Sequence, residues 1–344
     1  MLLPAFFLIC GALLATGGCV GVHDDLDGGI SLHCTRMAVN ILEGEDVSFS
    51  VLSGPNDVTS LSTIYMISSS GNEPLGAYSF RPESEGVYTF MAECQGHYSD
   101  PVSISAAALQ TTGDSFLRRT VIADFTATWC TNCPQMAAAL SEAQARSGGR
   151  LLKIAVYYLD ELQIPAGKAL TERFGIAALP AVMTGFDNTL MTSIASSDIL
   201  LTHFAKWEDN VGELPTPGIA LSTTLSGNTL SVKAEVASAS TEEYLLGAAL
   251  LEDGIVKAQT GAGEGYVHNS VLRAMLHAGG ETALAESLGT IPEGESKTKD
   301  YTIDIQGVPL SSSVLVWVMD TQGNCRSAAL CKAGESAPFA YESK

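Results

Sequence analysis

The sequence has little positive charge. Its 344 residues include 18 Lys and Arg against 38 Asp and Glu, which gives a formal net charge of -20 at neutral pH. The deficit is greatest in residues 1–115, which hold 2 basic and 13 acidic residues, whereas residues 116–212 hold 8 and 9. Proteins that bind nucleic acid gather Lys and Arg into patches that face phosphates. Because no basic stripe is present, we do not expect a nucleic-acid partner.

A long apolar run is also missing. Residues 1–18 are apolar, but they are too short to span a membrane and end in small residues before Cys19, a pattern typical of a cleaved signal segment. The sequence ATGGC resembles the lipobox of bacterial lipoproteins, which implies that Cys19 is acylated, and an ordinary secretory signal is the alternative. Residues 19–29 then form an acidic tether. Within it HDDLD, residues 23–27, is either a charged linker or, by resemblance to some Gram-negative lipoproteins, a surface-export signal.

Cysteine is sparse but even in number. Of eight cysteines, Cys10 belongs to the signal segment and Cys19 to the lipobox, which leaves six. The expected disulfides are Cys34 with Cys94, Cys130 with Cys133, and Cys325 with Cys331. Zinc needs four converging ligands, whereas these pairs fall in three expected domains, so no metal is expected. The pattern indicates an oxidising compartment, where a disulfide closing a long loop stabilises a small domain by about 4 kcal/mol.

The strongest chemical signal is RTVIADFTATWCTNCPQMAAAL, residues 119–140. The apolar residues Val121, Ile122, Ala123 and Phe125 predict a buried strand, and Pro134 with the alanines after it favours a helix. Cys130 and Cys133 should therefore lie at the N-terminus of a helix. Unpaired backbone N–H groups and the helix dipole favour a thiolate there, which lowers the pKa of the first cysteine. Cys130 is thus the predicted nucleophile.

Two segments resemble thioredoxin-fold proteins. VIADFTATWCTNCP resembles the active-site strand, loop and helix of that family, and FGIAALPAVMTGF resembles its strand that opens with a cis-proline. The resemblance implies that Asp124 lies buried beneath the cysteines and relays a proton, and that Trp129 shields the site. It also implies that the backbone at Leu179 and Pro180 binds substrate, with Pro180 as the cis-proline.

The length of the chain predicts two or three domains, and the strand and helix patterns place them. Short alternating strands predict an N-terminal β-sandwich that resembles an immunoglobulin-like domain in outline. Alternating strands and helices predict the α/β, thioredoxin-like unit, and further strands predict a C-terminal β-sandwich. The expected parts after the tether are the first sandwich at 30–107, a linker at 108–115, the thioredoxin-like domain at 116–212, the second sandwich at 218–334 and a tail at 335–344.

Two histidines of the C-terminal unit are not expected to bind metal. The stretch GYVHNSVLRAMLHAGGE, residues 265–281, fits the periodicity of either a helix or a strand. His268 and His277 lie nine residues apart, which is not a ligand spacing. We therefore expect ordinary histidines on the surface or in turns.

The order of these parts resembles the outer-membrane-protein-28-related lipoproteins of Gram-negative bacteria, which implies a lipid-anchored protein of the outer membrane, facing the periplasm or the surface. Two functions are open. In one, the protein is a thiol-disulfide oxidoreductase that acts on the disulfides or thiols of envelope proteins, in which Cys130 attacks and Cys133 resolves the mixed disulfide, with no cofactor beyond its redox-active disulfide. In the other, it is a binding or scaffold lipoprotein in which the same disulfide staples the fold. Asp124 favours the first, because a purely structural disulfide does not need a costly buried carboxylate.

Overall fold

The structure is a computed structural model, which describes residues 29–35, 38–68, 71–107, 113, 115–187, 189–192, 196–278, 283–305 and 312–342. The expected signal segment, with Cys10, the lipidation site Cys19 and nearly all of the tether lie outside the described residues. Within the described ranges strands predominate, and no helix is both long enough and apolar enough to cross a membrane.

The N-terminal unit is a β-sandwich, as expected. Its strands are β1 (Ser31–Cys34), β2 (Ala38–Asn40), β3 (Val47–Ser53), β4 (Asn56–Asp57), β5 (Thr63–Ser68), β6 (Gly71–Pro74), β7 (Ser79–Phe80), β8 (Gly86–Cys94), β9 (His97–Tyr98) and β10 (Val102–Ala107). One sheet has the order β1-β3-β4, with β7 also on β3, and the other has the order β2-β10-β8-β5-β6, with β9 also on β8. Alternate residues of β3 point inward, so that Phe49 meets Phe90 with ring centroids 4.8 Å apart.

The central unit alternates strands and helices. Its elements are β11 (Thr120–Thr126), α1 (Cys133–Arg146), β12 (Leu151–Tyr157), α2 (Pro165–Arg173), β13 (Ala181–Thr184), β14 (Leu190–Met191) and α3 (Ser197–Val211). Strand β11 runs parallel to β12 and antiparallel to β13, which pairs with β14. Successive residues of β11 face opposite sides: Ile122 packs under α1 and α3, whereas Ala123 and Phe125 pack on the side of α2.

The C-terminal unit is built from strands. They are β15 (Gly218–Ser226), β16 (Thr229–Ala237), β17 (Glu242–Glu252), β18 (Ile255–Val256), β19 (Val267–His268), β20 (Val271–Met275), β21 (Glu286–Ile291), β22 (Ser296–Asp304), β23 (Ser312–Asp320), β24 (Cys325–Lys332) and β25 (Ser336–Ala337). A sheet of order β22-β16-β15-β25 covers one face of β17, β23 and β24. Every residue of β23 is buried, with Val316 in this sandwich core and Trp317 in a second core on the opposite face.

That second core joins the C-terminal unit to the central unit. Strand β12 pairs in parallel with β20 through Ala155 and Val271, so one sheet runs β14-β13-β11-β12-β20-β17-β23-β24. Phe125 of the central unit and Trp317 of the C-terminal unit belong to the same buried cluster. The sequence pattern therefore changes between residues 212 and 218, but the fold does not divide there. The central and C-terminal units share one sheet and one core.

The expected tail at 335–344 packs against the rest of the protein as far as residue 342, the last described residue. Strand β25 pairs with β15, and Tyr341 stacks on Phe116 with ring centroids 4.9 Å apart. Glu342 forms an ion pair with Arg150 in the loop before β12. This segment therefore ties the C-terminal unit to the start of the central unit.

The structure differs from the expected disulfides outside the central motif. Cys325 and Cys331 lie on one extended strand, β24, where six residues span about 20 Å, far beyond the reach of a disulfide. Cys325 is in the core shared with the central unit and Cys331 is in the sandwich core, so the predicted bond is wrong. Cys34 and Cys94 share the core of the N-terminal sandwich but are present as thiols, and that expected disulfide is not formed either.

The two cysteines of β24 provide a test of this arrangement. Burial raises the pKa of each thiol to about 11, so Cys325 and Cys331 should resist alkylation in the native protein. In guanidinium chloride without reductant, both should be alkylated completely. Cys130 and Cys133 serve as the internal control, because they should react only after reduction. Peptide mapping by mass spectrometry that finds Cys325 joined to Cys331 before reduction would contradict the structure.

Candidate redox site

The site is built on the turn between β11 and α1. Cys130 and Cys133 form a disulfide with Cα atoms 5.4 Å apart. The N–H of Cys130 donates to the carbonyl of Ala127 at 3.1 Å, and the N–H of Cys133 donates to the carbonyl of Cys130 at 3.3 Å. Pro134 occupies the first turn of α1, where its missing N–H costs no helix hydrogen bond. Both cysteines are buried, Cys130 with 5% of its surface exposed and Cys133 with 2%.

A cis-proline lies next to this turn. The Leu179-Pro180 peptide bond is cis, as the resemblance implied, and Pro180 is buried directly before β13. Because Ala181 pairs with Phe125 near the end of β11, the segment is adjacent to the strand that leads into the turn. Leu179 packs against the cluster formed by Ala127 and the two cysteines. The structure thus brings together the predicted cysteines and the predicted substrate-binding residues.

Trp129 forms the exposed rim of the site. Half of its surface is accessible, and its indole N–H donates to the carbonyl of Leu159 at 3.1 Å. Leu159 is itself 64% exposed, so both of these residues present large apolar side chains at the surface. The carboxylate of Asp160 accepts the N–H of Thr128 at 2.7 Å, which fixes the turn to the end of β12. Trp129 therefore lies at the entrance but does not enclose the site by itself.

Asp124 is a buried carboxylic acid on the face of β11 that α1 covers. Only 2% of its surface is exposed, and within the described residues its Oδ1 has no hydrogen-bond partner. Burial raises its pKa to about 6, and the charge of Lys153 opposes this shift. Lys153 is buried on β12 opposite Ile122, two residues before Ala155, which pairs with Asp124. A carboxyl group with this pKa exchanges a proton readily near neutral pH.

Two aromatic residues and a histidine extend this buried polar region. The hydroxyl of Tyr157 lies 2.6 Å from Nδ1 of His268, whose Nε2 lies 3.2 Å from the carbonyl of Lys257. A carbonyl only accepts, so Nε2 carries the proton and Nδ1 accepts from Tyr157. Burial lowers the pKa of His268 to about 4, which keeps it neutral. Burial, then the charge of Asp124, raises the pKa of Tyr157 above its usual range and that of Tyr266 to about 12.

The expectation of ordinary surface or turn histidines is therefore wrong for His268, which lies on β19, and His277 lies in a bend after β20 but is buried. His268 is 1% exposed and His277 is 4% exposed, and both are hydrogen-bonded inside the C-terminal unit. Within the described part of the chain, no group of three or more His, Cys, Asp and Glu residues has a geometry suited to a metal ion.

The C-terminal unit also contacts the turn directly. A β-hairpin of residues 255–268, formed by β18 and β19 and called the arm below, ends in a tip that lies on the backbone of the turn. The side-chain amide of Gln259 donates to the carbonyls of Ala127 at 3.2 Å and Cys130 at 2.9 Å. The N–H of Thr260 donates to the carbonyl of Thr128 at 2.8 Å. Three backbone carbonyls of the redox turn therefore accept hydrogen bonds from the arm.

Sequence reasoning missed two residues of this site. Lys153 carries a charge within the apolar run LLKIAVYY. Because a buried charge needs a partner of opposite charge, a lysine in a predicted buried strand indicates a buried acidic residue nearby. Gln259 offers no comparable signal, because it contacts residues 129 and 132 positions away and lies in a segment with no distinctive pattern.

The geometry and the comparisons with known proteins agree on the class of fold. The family model described as Thioredoxin matches residues 110–199. HBP35 of Porphyromonas gingivalis is structurally similar, with a TM-score of 0.55 at 19% identity over 68% of this chain and 80% of that chain. Protein AGR_C_4864 from Agrobacterium tumefaciens aligns with a TM-score of 0.41 at 12% identity over 65% and 97% of the two chains. No curated protein sequence matches significantly. The protein thus has a thioredoxin-like domain between β-rich regions.

The raised pKa of Asp124 predicts a pH-dependent stability. The folded state binds this proton more tightly than the unfolded state, whose ordinary pKa is 3.8, so the carboxyl destabilises the fold increasingly as the pH rises from about 4 to about 6 and fully above that. Asp124→Asn removes the penalty. We expect it to raise the free energy of unfolding by about 3 kcal/mol at pH 8, with no gain below pH 4.

Urea unfolding of the oxidised protein at pH 4, 6 and 8 measures this difference. Asp209→Asn makes the same chemical change at an exposed position of α3 and is the control. If Asp124→Asn stabilised the protein equally at all three pH values, ionisation of Asp124 would not destabilise the folded state.

Proposed function

We propose that this protein is a thiol-disulfide oxidoreductase that acts on protein clients. The observation that supports this most directly is the coincidence of a Cys130-Cys133 disulfide at the start of α1 with a buried, proton-exchanging carboxyl group, Asp124, under the same helix. A disulfide that only staples a fold gains nothing from a carboxylate that destabilises it. The cis-proline segment beside the turn supports the same proposal.

The proposed reaction transfers two electrons. In the reduced protein, the Cys130 thiolate attacks one sulfur of a client disulfide, the client S–S bond breaks, and a mixed disulfide and a client thiolate form. The thiol of Cys133 then gives its proton to the Asp124 carboxylate and attacks Cys130. The Cys130-Cys133 disulfide forms, the second client sulfur leaves as a thiolate, and a dithiol donor reduces the protein again. In the reverse direction, the oxidised protein accepts two electrons from a client dithiol.

The surface beside the turn indicates the kind of client. Trp129 and Leu159 are exposed and joined by a hydrogen bond, and Leu179 packs against the cysteines. Such an apolar rim suits an extended peptide segment better than a small thiol, because large apolar side chains contribute binding mainly by burying area. We therefore propose polypeptides with accessible cysteines as substrates.

A second candidate function is supported by the burial of the site. Cys130 and Cys133 are 5% and 2% exposed, and the arm lies on the turn that carries them. In this second function, the protected disulfide only stabilises the fold of a binding or scaffold protein. The two functions differ in one respect that can be measured, namely whether Cys130 forms a bond with another protein.

Trapping of mixed disulfides separates the two functions. Cys133→Ser leaves Cys130 able to attack but removes the thiol that resolves the product, so client proteins should accumulate on Cys130. Non-reducing gels of envelope extracts, followed by mass spectrometry of the trapped bands, measure this. Cys130→Ser is the matched control, because it retains one thiol in the same turn and should trap at least ten-fold less.

The scaffold function would be favoured if Cys133→Ser trapped no more protein than Cys130→Ser. The wild-type bond should also open in the folded protein under mild dithiothreitol treatment, because a helix N-terminus stabilises the thiolate of the reduced site. A Cys130-Cys133 bond that resists reduction until the protein unfolds would count against the oxidoreductase.

We further propose that the protein acts in the cell envelope as an outer-membrane lipoprotein. The support comes from the sequence: the lipobox-like ATGGC before residue 20 and the resemblance of the whole to outer-membrane-protein-28-related lipoproteins. Cys19 would carry the lipid, and the acidic tether after it would separate the folded units from the membrane. The clients would then be envelope proteins with disulfides or thiols.

Lipid attachment is tested at Cys19. In a Gram-negative host, the wild-type protein should partition into the membrane fraction, and Cys19→Ala should release most of it into soluble fractions or leave it unprocessed. Stable anchoring needs more than one acyl chain, so mass spectrometry of the N-terminal peptide should show several. Cys10→Ala, a change within the expected signal segment, serves as the control. An unmodified mature N-terminus would contradict the anchor.

A further inference from the structure

The tip of the arm is itself a rigid element. The N–H of Gln259 donates to the carbonyl of Gly263, and the N–H of Gly263 donates back to the carbonyl of Gln259, both at 2.9 Å. Below the tip, the N–H of Lys257 donates to the carbonyl of Tyr266 at 3.0 Å. The side chain of Gln259 is 3% exposed. The hairpin therefore fixes the backbone from which the side chain of Gln259 reaches the turn.

The contacts of Gln259 coincide with the hydrogen bonds that shape the redox turn. The carbonyl of Ala127 accepts the N–H of Cys130, and the carbonyl of Cys130 accepts the N–H of Cys133. These are the same two oxygens to which the side-chain amide of Gln259 donates. One NH₂ group thus engages both carbonyls that set the backbone at the two cysteines.

We propose that Gln259 is a positioning residue of the redox site, which holds the turn that carries Cys130 and Cys133 through these two carbonyls. The inference rests on the proposed oxidoreductase function and adds that the C-terminal unit completes the active site. Its two N–H donors also offset the negative ends of two carbonyl dipoles close to Cys130. Loss of these donors makes the surroundings of the sulfur more negative, which disfavours the thiolate.

A neighbouring glycine supports the close fit of arm and turn. Gly261 has a φ of +91°, and a Cβ atom at this residue would lie 2.5 Å from the carbonyl oxygen of Thr131. A side chain here must therefore push the arm away from the turn. Gly263 has a similar backbone, with a φ of +103°, but a Cβ atom there would meet nothing within 4 Å. Both glycines have a positive φ, which a side chain disfavours, but only a side chain at Gly261 would meet the turn.

The first experiment changes the amide group. Gln259→Met keeps the length of the side chain and removes the donors, and Gln259→Glu keeps the shape but presents a carboxylate to the two carbonyls. In the reduced full-length protein, the pKa of Cys130 should rise by about half a unit to one unit with Met, and further with Glu. The equilibrium constant for oxidation by glutathione disulfide should shift roughly three- to ten-fold toward the Cys130-Cys133 disulfide. Alkylation of Cys130 against pH, followed by peptide mapping, measures the pKa.

Two controls separate positioning from general loss of stability. Gln144→Met removes a comparable bond, from a glutamine amide to the carbonyl of Leu151, elsewhere in the central unit, and should move neither quantity. Gly261→Ala should shift both quantities in the same direction as Gln259→Met, whereas Gly263→Ala should not. Comparison of Gly261→Ala with Gly263→Ala tests the positioning role even if the Gln259 variants do not fold.

The outcomes also separate this inference from the proposed function. If wild-type Cys130 is acidic and traps clients, but the Gln259 variants and Gly261→Ala match their controls, the positioning role is overturned and the oxidoreductase stands. If wild-type Cys130 titrates as an ordinary thiol with a pKa of about 8.5, both are overturned. Shifts in pKa and equilibrium constant that exceed those of Gln144→Met and Gly263→Ala support the positioning role.

Discussion

The pairing of β12 with β20 is the contact on which the rest of this structure depends. Ala155 lies opposite Val271, and its N–H donates to the carbonyl of Ser270 at 2.8 Å. This one pairing turns an edge strand of the thioredoxin-like sheet into an interior strand, which removes an exposed row of backbone donors and acceptors. It also brings the arm onto the redox turn and lets β23 bury both of its faces, one in each core.

The proposed chemistry of the site depends on a group that weakens the fold. Asp124 is buried, with Lys153 as a charge of opposite sign, and burial and then the charge of Asp124 raise the pKa of Tyr157. A medium of low dielectric raises the free energy of the ionised carboxylate. For the same reason, gain or loss of its proton has a strong electrostatic effect on nearby atoms. Stability given up at one residue for reactivity at its neighbours is common in active sites.

Local features of the site could be predicted from the sequence, and long-range features could not. The strand, turn and helix around Cys130 follow from apolar periodicity and a proline, and the cis-proline followed from a family resemblance. Counting cysteines failed at Cys325 and Cys331, because the count does not reveal that one extended strand holds them apart. His268 was misplaced and Gln259 was missed because their partners lie more than a hundred residues away and are set by the packing of β20 on β12.

The shared sheet also bears on the order in which the chain becomes able to fold. A nascent chain that has emerged only through residue 212 would hold β12 with an open edge, beside an apolar face that Leu315 and Trp317 cover in the finished protein. An open edge next to uncovered apolar surface favours association between chains. Folding only after the whole chain is available avoids this exposure. The central unit therefore depends on the C-terminal unit to complete its sheet and its core.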